Sequence, residues 1–430
     1  MKTVELSTAL APAMLPMAVN FAEQAGKAFG LSQPKQRKLA QAVEELFSFF
    51  AAAQDQDDST VRLLCRSGSY YVELDCIFPM SALPTAAFDI TPNMQPESKA
   101  SLEEMGLLLA ARAVDRLDVV RKTRESLEVR LVVEKEYPAG ITALEPLDAG
   151  ERYIVRPATG SEELKQFAQR VSAVYEAGAP AFFKFPGKVV NMVGSGEYDA
   201  ALAIDDRGNV GGGIFWRQTG KMAEFYGPYL FAQQAGLAQA VLDQALVKLA
   251  RTEAVCMVTL QPTADIPGDY FETLGDILLK EPNNLQTRYK ALYRQLGEDS
   301  GTDVYVNPVI HSFVKDCYDR LALPRTIILS DCAGENLAEQ STFSVALDWH
   351  QHQAFLSKLA VGQDAQVNLA KHVEILRTEG ILNIFFRLDA GRAEEAVLAP
   401  ALLASGFVPR LILPWGGHGD VVLFQHGQGN

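Results

Sequence analysis

The stretch Ala223–Ala250 constrains the fold more than any other part of the chain. It begins with an aromatic run that predicts a β-strand and continues through a short polar turn. Beyond the turn, Asp243, Gln244 and Lys248 face one way while apolar residues recur at helical spacing on the other side. The apolar positions are Ala238, Val241, Leu242, Ala245, Leu246 and Leu249. The stretch therefore predicts a strand, a tight turn and an amphipathic helix.

The turn in this stretch keeps its side chains small where the helix is predicted to begin. It reads Gln-Gln-Ala-Gly-Leu-Ala from Gln233 to Ala238. The first N–H groups of a helix have no partner within the helix, and the helix dipole adds positive charge at that end. An anion can approach such a turn closely, and a diphosphate is the ligand that suits it best. An ordinary strand-to-helix turn is the alternative interpretation.

The same turn resembles the coenzyme A pyrophosphate loop of GNAT-type N-acetyltransferases. That loop follows the pattern Gln/Arg-x-x-Gly-x-Gly/Ala between a strand and a helix, and Gln233, Gly236 and Ala238 match it. The resemblance implies that the chain binds acetyl-CoA or another acyl-CoA. The cofactor-binding residues that it implies are Gln233, Gln234, Ala235, Gly236, Leu237 and Ala238.

Composition limits the partners and the compartment. The 430 residues carry a formal net charge of -14, so neither nucleic acid nor an anionic membrane is expected as the main partner. The five cysteines lack metal-ligand spacing, which fits a reducing cytoplasm. Glu5, Pro12 and Pro16 interrupt the apolar N-terminal run, and no apolar stretch is long enough to span a bilayer. We therefore expect a soluble cytoplasmic protein of two to three domains.

Residues 1–145 predict the order helix, helix, strand, strand, loop, helix, strand. This order resembles the anti-sigma-factor type of the histidine-kinase-like ATPase fold. Within it, Met105–Asp118 looks like the Gly-rich box with its helix, and Ala42–Phe47 looks like the Asn-box helix. The resemblance implies an α/β sandwich that offers a surface to a protein partner.

The residues that would handle a nucleotide are missing from this segment. Phe49 stands where the family has the Asn that holds magnesium, and a phenyl ring can ligate nothing. Asp75 occupies the place of the adenine-recognising Asp, but Ile77 replaces the glycine expected two residues later. Glu104 replaces the first glycine of the Gly-rich box and adds negative charge where phosphates would lie. We therefore expect a degenerate domain that does not hydrolyse ATP, and leave open whether it binds a nucleotide.

Residues 150–305 follow the order of elements of a GNAT domain, with the pyrophosphate loop in the expected place. Acetyl transfer needs a base for the amine and often a tyrosine that protonates the departing thiolate. We interpret Glu224, on the strand before the loop, as the candidate base, with a solvated strand-edge carboxylate as the alternative. Tyr270 is the candidate acid, although Phe271 occupies the family register before Gly275. The segment Asp269–Gly275 is predicted to form a helix-like turn.

Residues 306–430 resemble the last half of a second GNAT domain. The anion loop is absent there, since Val361–Val367 has neither the glycine spacing nor a basic residue. We therefore predict a non-catalytic copy. Asp348, His350 and His352 alternate along a predicted strand and define a possible metal site, with a solvated strand face as the alternative. The stretch Trp415–Asp420 predicts a glycine-rich hairpin tip.

The sequence thus predicts a multidomain α+β or α/β protein: an ATPase-like sandwich (1–145) followed by two GNAT-like mixed-sheet domains (150–305 and 306–430). The leading hypothesis is an acyl-CoA-dependent N-acyltransferase whose N-terminal domain is regulatory. The alternative is a non-enzymatic bacterial signalling regulator, anti-sigma-like, that senses acyl-CoA or a nucleotide. The acceptor is expected to be a small-molecule or protein amine. Its identity, and whether the chain turns over a substrate at all, stay open.

Overall fold

The computed structural model describes residues 2–53, 59–79, 88–90, 106–121, 126–140, 152–175, 178–282, 285–331, 337–349 and 351–427. Over these residues the chain is a mixed α+β protein with a ten-stranded sheet, a seven-stranded sheet and a two-stranded ribbon. None of the helices in these ranges combines the length and apolar character needed to cross a bilayer.

The first section of the chain forms half of the ten-stranded sheet. Its elements are β1 (Lys2–Ala9), α1 (Leu15–Ala28), α2 (Gln33–Ala53), β2 (Thr60–Ser67), β3 (Tyr71–Pro79), α3 (Gly106–Ala113), β4 (Arg116–Arg121) and β5 (Ser126–Glu134). The strands stand in the order β1, β2, β3, β5, β4 and are all antiparallel. Apolar residues at helical spacing on α2 are buried, since Leu39, Val43 and Leu46 are at most 1% exposed. Helices therefore cover one face of this half-sheet.

Two strands in this section differ from the sequence-based expectation. β1 was not predicted, because it is an edge strand whose side chains are mostly exposed and show no buried alternation. Its extended form comes from pairing with β2 along its whole length. The helix predicted within Met105–Asp118 ends at Ala113, and β4 begins at Arg116. Helical spacing of apolar residues continues across this junction, so periodicity alone does not reveal the change.

The second section forms the seven-stranded sheet. Its elements are β6 (Tyr153–Pro157), α4 (Ser161–Val174), α5 (Pro186–Gly194), β7 (Asp199–Asp205), β8 (Val210–Thr219), β9 (Met222–Leu230), α6 (Leu237–Leu249), β10 (Cys256–Thr259), β11 (Glu272–Lys280) and β12 (Gln286–Gln295). The strands stand in the order β6, β7, β8, β9, β10, β12, β11. β9 and β10 run parallel to each other. The helix-like turn predicted over Asp269–Gly275 is wrong, since this segment is a loop that runs into β11. Pairing with β12 fixes its extended form.

The third section completes the ten-stranded sheet. Its elements are β13 (Thr302–Val306), α7 (His311–Leu321), β14 (Arg325–Leu329), β15 (Thr342–Asp348), β16 (Gln353–Ala360), α8 (Ala365–Thr378), β17 (Asn383–Asp389), α9 (Leu398–Ala404), β18 (Phe407–Leu413) and β19 (Val421–His426). β13 and β14 form the separate parallel ribbon. β15 pairs antiparallel with β4 through Leu347 with Leu117 and Asp348 with Arg116. One sheet therefore runs from the N-terminal section into the C-terminal section.

The two large sheets are joined by side-chain amides. The Leu278 N–H donates to Gln425 Oε1 at 3.1 Å, and the Gln425 amide donates to the Leu278 carbonyl. Likewise the Lys280 N–H donates to Asn383 Oδ1 at 2.8 Å, and Asn383 Nδ2 donates to the Lys280 carbonyl at 2.9 Å. Gln425 and Asn383 thus give β11 the hydrogen bonds that a neighbouring strand would give.

A second bridge joins the N-terminal section to the seven-stranded sheet. The Tyr70 and Tyr71 hydroxyls donate to the two carboxylate oxygens of Glu197 at 2.8 and 3.0 Å. Lys188 on α5 pairs with Glu134 on β5 at 2.5 Å. These bridges and the amide pairs hold the two sheets in a fixed relation.

A buried ion cluster lies where the ribbon meets the C-terminal hairpin. Arg325 contacts Asp420 at 2.7 Å and Asp299 at 2.9 Å, and all three side chains are at most 1% exposed. The Trp415 ring lies under the Arg325 guanidinium, 5.1 Å from ring centre to Cζ, and its N–H donates to Asp299. Trp415 is on the predicted glycine-rich tip, which the structure places between β18 and β19.

Replacing Arg325 with Met should destabilise the protein by about 3–5 kcal/mol, because Asp299 and Asp420 would be left buried without a counter-ion. Urea unfolding monitored by tryptophan fluorescence measures the change. Arg288→Met is the control, since Arg288 and its partner Asp276 are 56% and 41% exposed and lie 3.9 Å apart. Its cost should be at most about 1 kcal/mol. Equal effects of the two substitutions would contradict the importance of the cluster.

Glu395 gives the fold a defined pH dependence. Its side chain is buried and accepts the Asp389 N–H at 2.8 Å. Burial raises the pKa of this carboxyl from 4.5 to about 7, so the folded state holds a proton that the unfolded state has lost. The resulting stabilisation is complete below about pH 4.5 and is lost as the pH rises through about 7.

Glu395→Gln should therefore stabilise the protein at pH 8 by about 1–3 kcal/mol and leave its stability at pH 4.5 nearly unchanged, because the amide carries no charge at either pH. Urea unfolding at the two pH values tests this. The neighbouring Glu394→Gln is the control, since the pKa of Glu394 is lowered, in part by its hydrogen bond with Lys358. A gain at pH 8 in both variants would rule out the assigned role of Glu395.

Candidate functional site

The predicted anion-binding turn lies at the start of α6. After β9, the N–H groups of Phe231 and Ala232 both donate to the Gly211 carbonyl, which anchors the entry to the turn. Residues 233–236 are exposed, and Gly236 has a left-handed φ of +75°. A side chain strains such a backbone, so the glycine fits the turn. Space is not the constraint, because a Cβ at Gly236 would meet nothing within 4 Å.

Several backbone N–H groups of this turn point to no acceptor. Leu237 N donates to the Gln234 carbonyl at 3.3 Å, and Ala240 N donates to the Gly236 carbonyl at 3.0 Å. Among the described residues, the N–H groups of residues 233–236, 238 and 239 make no hydrogen bond with the protein. They gather at the positive end of the α6 dipole. The predicted cofactor-binding residues therefore lie together around a cluster of free donors.

The strands beside this turn separate. β9 and β10 pair only through residues 222–224 and 256–258. β9 continues to Leu230, whereas β10 ends at Thr259. The parallel ladder thus ends at Glu224 and Val258, and the strand ends part on the side where the turn begins. An extended ligand that reaches from the turn has an opening into the sheet at this point.

The candidate base Glu224 lies on β9 next to the end of that ladder. Its carboxylate accepts Arg217 Nε at 2.9 Å and Nη2 at 2.7 Å, and its side chain is 21% exposed. Tyr226, two residues further on the same face, lies close enough to Glu224 for the carboxylate charge to act on its hydroxyl. Desolvation, followed by the charge of Glu224, raises the pKa of Tyr226 well above its ordinary value. Tyr226 is therefore protonated at neutral pH and able to donate a proton.

The candidate acid Tyr270 lies in the loop before β11. Its hydroxyl donates to Asp243 on α6, and the Arg294 guanidinium lies over its ring at 4.3 Å. Burial, followed by the hydrogen bond to Asp243, raises the pKa of Tyr270 to about 12. The neighbouring Phe271 ring stacks on Phe225 with ring centres 5.0 Å apart.

The structure does not bring Glu224 and Tyr270 together. Successive side chains of a strand point to opposite faces, so Glu224 and Phe225 lie on different sides of β9. Phe225 is buried on the α6 side, in the same core as Leu237 and Val241 and next to Phe271. Tyr270 packs against the same core as Phe271 and therefore lies on that side of the sheet. A role for Tyr270 at the same reacting group as Glu224 stays a prediction.

Polar side chains of the two large sheets lie close enough around Glu224 to act on one another electrostatically, and we call this polar region between the sheets the inter-sheet cleft. It is lined from the seven-stranded sheet by Tyr198, Arg217, Glu224 and Tyr226, and from the ten-stranded sheet by Arg387 on β17. The charge of Glu224 raises the pKa of Arg387 and that of Arg217 lowers it, while desolvation is the largest effect and lowers it overall. These charges therefore act on one another across the cleft.

Sequence reasoning found only Glu224 among the cleft residues. Arg217 could have been predicted from the sequence, because the hairpin β8–β9 places it directly opposite Glu224. Tyr226 follows from Glu224 by alternation along β9. The position of Arg387 could not have been predicted in this way, because it depends on packing between sections far apart in the sequence.

The corresponding turn of the C-terminal section is filled by protein. Gly362 packs so closely that a Cβ there would lie 2.2 Å from the Gln340 carbonyl carbon. The carboxylate of Asp364, at the start of α8, accepts the Ser341 N–H at 2.6 Å. Protein atoms thus crowd Gly362, and the Asp364 carboxylate adds negative charge at the start of α8. That this section is a second, non-catalytic copy stays a prediction.

The expected nucleotide residues of the N-terminal section take other roles. A Cβ at Gly106 would lie 2.4 Å from Phe49 Cβ, so the phenyl group covers this glycine. Asp75 faces away from α2, because its neighbours Leu74 and Cys76 point into the helix-covered core. Asp75 pairs instead with Arg66 and Arg130. The interpretation of Asp75 as an adenine-recognising residue is therefore wrong, and Glu104 lies outside the described residues.

The possible metal site does not lie on one strand. Asp348 is the last residue of β15, and His352 lies in the following turn with a φ of +50°. His350 lies outside the described residues. The expected alternation fails because a turn begins at Trp349. In the part of the chain that the structure describes, no group of three potential metal-ligating side chains comes together.

Comparison with known proteins gives only distant likenesses. No protein-family model matches the sequence, and no curated protein matches it. A GNAT-family N-acetyltransferase from Escherichia coli, solved with CoA, is 17% identical with a TM-score of 0.25, over 35% of this chain and 86% of that chain. A phosphinothricin acetyltransferase from Sinorhizobium meliloti, solved with acetyl-CoA, is 16% identical with a TM-score of 0.28, over 34% and 90%.

A third solved structure covers nearly all of the chain. It is a probable N-acyltransferase from Enterococcus faecalis, 10% identical with a TM-score of 0.21, over 98% of this chain and 99% of that chain. At these values none of the likenesses assigns an activity to this protein. The functional argument therefore depends on the geometry of the turn and the cleft.

Proposed function

We propose that this protein is an acyl-CoA-dependent N-acyltransferase of the GNAT type. The observation that carries the proposal is the set of free N–H groups at residues 233–236, 238 and 239, gathered at the start of α6. Amide donors at a helix N-terminus suit the diphosphate of coenzyme A, since they supply hydrogen bonds and the positive end of the dipole together. The exposed side chains of Gln233 and Gln234 add further donors at the rim.

The separation of β9 and β10 supports the same function. A diphosphate at the turn would leave the rest of the acyl-CoA to extend along β9 into the opening beyond Val258. The free edge of β9 offers backbone groups to an extended amide-containing arm, as an added strand would use them. The acyl group would then reach the region of Glu224.

The chemistry assigned to Glu224 is removal of a proton from the acceptor amine. The neutral amine attacks the thioester carbonyl, a C–N bond forms and the C–S bond breaks. The amine proton goes to Glu224, and the departing thiolate takes a proton from a neighbouring acid. Tyr226 is protonated at neutral pH and lies near Glu224, so it is a second candidate for that acid beside Tyr270.

One helix of the expected GNAT order is missing from the described part of this unit. Residues 260–271, between β10 and β11, form a loop. Tyr270 belongs to this loop and is bonded to Asp243 on α6. This arrangement favours Tyr226 over Tyr270 as the proton donor near Glu224.

A second candidate function is that of a non-enzymatic regulator that binds acyl-CoA without turnover. The hydrogen bond of Tyr270 to Asp243 favours it, because it leaves the predicted acid away from Glu224. In either case we propose that the N-terminal section is a regulatory or partner-binding unit. Binding of acetyl-CoA without acyl transfer to any amine would favour this second function.

Gly236→Glu should weaken acetyl-CoA binding by about 100-fold or more, because a carboxylate would repel the diphosphate and a side chain would strain the left-handed turn. Isothermal titration calorimetry measures the Kd. Gly380→Glu is the matched control, since Gly380 has a φ of +79° and a Cβ there also meets nothing within 4 Å. That variant should bind like the wild type. Equal affinity of the Gly236 variant would show that the turn binds no diphosphate.

Glu224→Gln should lower kcat for acyl transfer by about 10²–10⁴-fold, the usual contribution of a general base, and leave the Kd for acetyl-CoA nearly unchanged. Release of CoA in the presence of an amine panel, followed with a thiol reagent, measures kcat. Glu272→Gln, an exposed change at the start of β11, is the control. A Glu224 variant with full kcat would remove this residue from the mechanism.

A further inference from the structure

The edge of β9 beyond the end of β10 presents three backbone polar groups. Backbone groups of successive residues in a strand point alternately to its two neighbours. The Phe231 N–H points to β8, where it donates to the Gly211 carbonyl. The backbone groups of Leu230 and Pro228 therefore point the other way, to the side that β10 leaves. These groups are the N–H and the carbonyl of Leu230 and the carbonyl of Pro228, since proline has no N–H.

Side chains of the protein already contact all three groups. Thr263 Oγ1 donates to the Pro228 carbonyl at 2.8 Å. The Leu230 N–H donates to the Tyr175 hydroxyl at 2.7 Å. That hydroxyl lies 2.6 Å from Asp265 Oδ2 and 3.1 Å from the Leu230 carbonyl, and its one hydrogen is donated to either oxygen. An extended arm cannot pair with this edge while these contacts last.

Thr263 and Asp265 belong to one segment, residues 260–271, which we call the strap. It runs from the end of β10 to the start of β11. Its last turn is fixed on α6 by the hydrogen bond of Tyr270 to Asp243, and on β12 by Arg294 Nη1, which donates to the Tyr270 carbonyl at 2.6 Å. The strap thus crosses the edge of β9 and ends on the helix that follows the anion-binding turn.

The strap itself is held by few contacts. None of its residues is fully buried. Its backbone–backbone hydrogen bonds are local: Ile266 N donates to the Thr263 carbonyl at 3.5 Å, and Tyr270 N donates to the Pro267 carbonyl at 3.1 Å. By contrast Tyr229, between the two contacted residues of β9, is 1% exposed. Segments with little burial open at a lower free-energy cost than core strands, so the strap can move while β9 keeps its place.

We propose that the strap is closed over the track of the acyl-CoA arm, and that acyl-CoA binds by replacing the hydroxyls of Thr263 and Tyr175 with amide groups of its own arm. The inference rests on the proposed function. An arm that accepts from the Leu230 N–H and donates to the Pro228 carbonyl restores in kind the hydrogen bonds that opening breaks. The net cost of opening is therefore small enough for the ligand to offset. The measured affinity is the intrinsic affinity reduced by the fraction of molecules whose strap is open.

Two variants loosen the closed state from opposite sides. Thr263→Val removes the hydroxyl from Pro228 and keeps the branched shape. Tyr175→Phe removes the hydroxyl from Leu230 and keeps the ring on Tyr229, with ring centres 4.8 Å apart. Each should tighten acetyl-CoA binding by about 3- to 10-fold, because one hydrogen bond of the closed state is lost. Isothermal titration calorimetry measures the Kd.

Thr378→Val is the matched control for these variants. Its hydroxyl donates to the Glu374 carbonyl at 2.9 Å on α8, so the substitution removes the same kind of hydrogen bond away from the strap. Its Kd for acetyl-CoA should equal that of the wild type.

A ligand without the arm separates the strap from the anion-binding turn. The probe is 3′-phospho-ADP, which carries the diphosphate of CoA and lacks the amide-containing arm. It should bind the wild type and every variant with one Kd. An equal gain for both ligands would contradict the proposal, since the effect would not depend on the arm. Unchanged acetyl-CoA binding in both strap variants would overturn the strap and leave the proposed function standing. Absence of binding of either ligand to any of these proteins would refute the proposed function, and the strap with it.

Proteolysis tests whether the strap moves. Saturating acetyl-CoA should speed thermolysin cleavage before Ile266 by about threefold or more, because the ligand holds the strap open. The probe 3′-phospho-ADP should leave the rate unchanged. Cleavage that acetyl-CoA slows or leaves unchanged would show that the strap stays closed over the ligand, and would overturn the proposal.

Discussion

Pairing of β4 with β15 determines how the rest of the molecule is arranged. Through Leu347 with Leu117 and Asp348 with Arg116, backbone hydrogen bonds join sections more than two hundred residues apart. The resulting sheet has a helix-covered apolar face and a polar face that carries Arg116, Asp118 and Arg387. The inter-sheet cleft exists because this polar face stands opposite the seven-stranded sheet. Loss of the β4–β15 pairing would therefore remove one wall of the candidate site.

Local patterns predicted many elements of the fold and the position of the turn at residues 233–238. Helical spacing identified α2 and α6, and the small residues of 233–238 identified the turn, because both signals lie within a few residues. β1 was missed since its side chains are mostly exposed, and β4 since apolar spacing continues from α3 without a breaker. The contact of Arg387 with the cleft depends on packing of distant sections, which no local pattern encodes.

The N-terminal section has an apolar core between α2 and its strands, and the residues predicted as nucleotide ligands make other contacts. Phe49 covers Gly106, and Asp75 is tied to Arg66 and Arg130 on the other side of the sheet. Strand β4 of this section places Asp118 and Arg116 near the inter-sheet cleft.

At β11 the two sheets are joined by neutral amide pairs, in contrast to the Lys188–Glu134 ion pair and the bridge at Glu197. Gln425 and Asn383 bond to the backbone of β11 through groups that neither titrate nor attract salt ions. The cleft beside them is made of charges, whose interactions weaken as ionic strength rises. Salt should therefore weaken the charge interactions between the sheets while the amide pairs at β11 keep their strength, so that the two kinds of contact respond to different properties of the solvent.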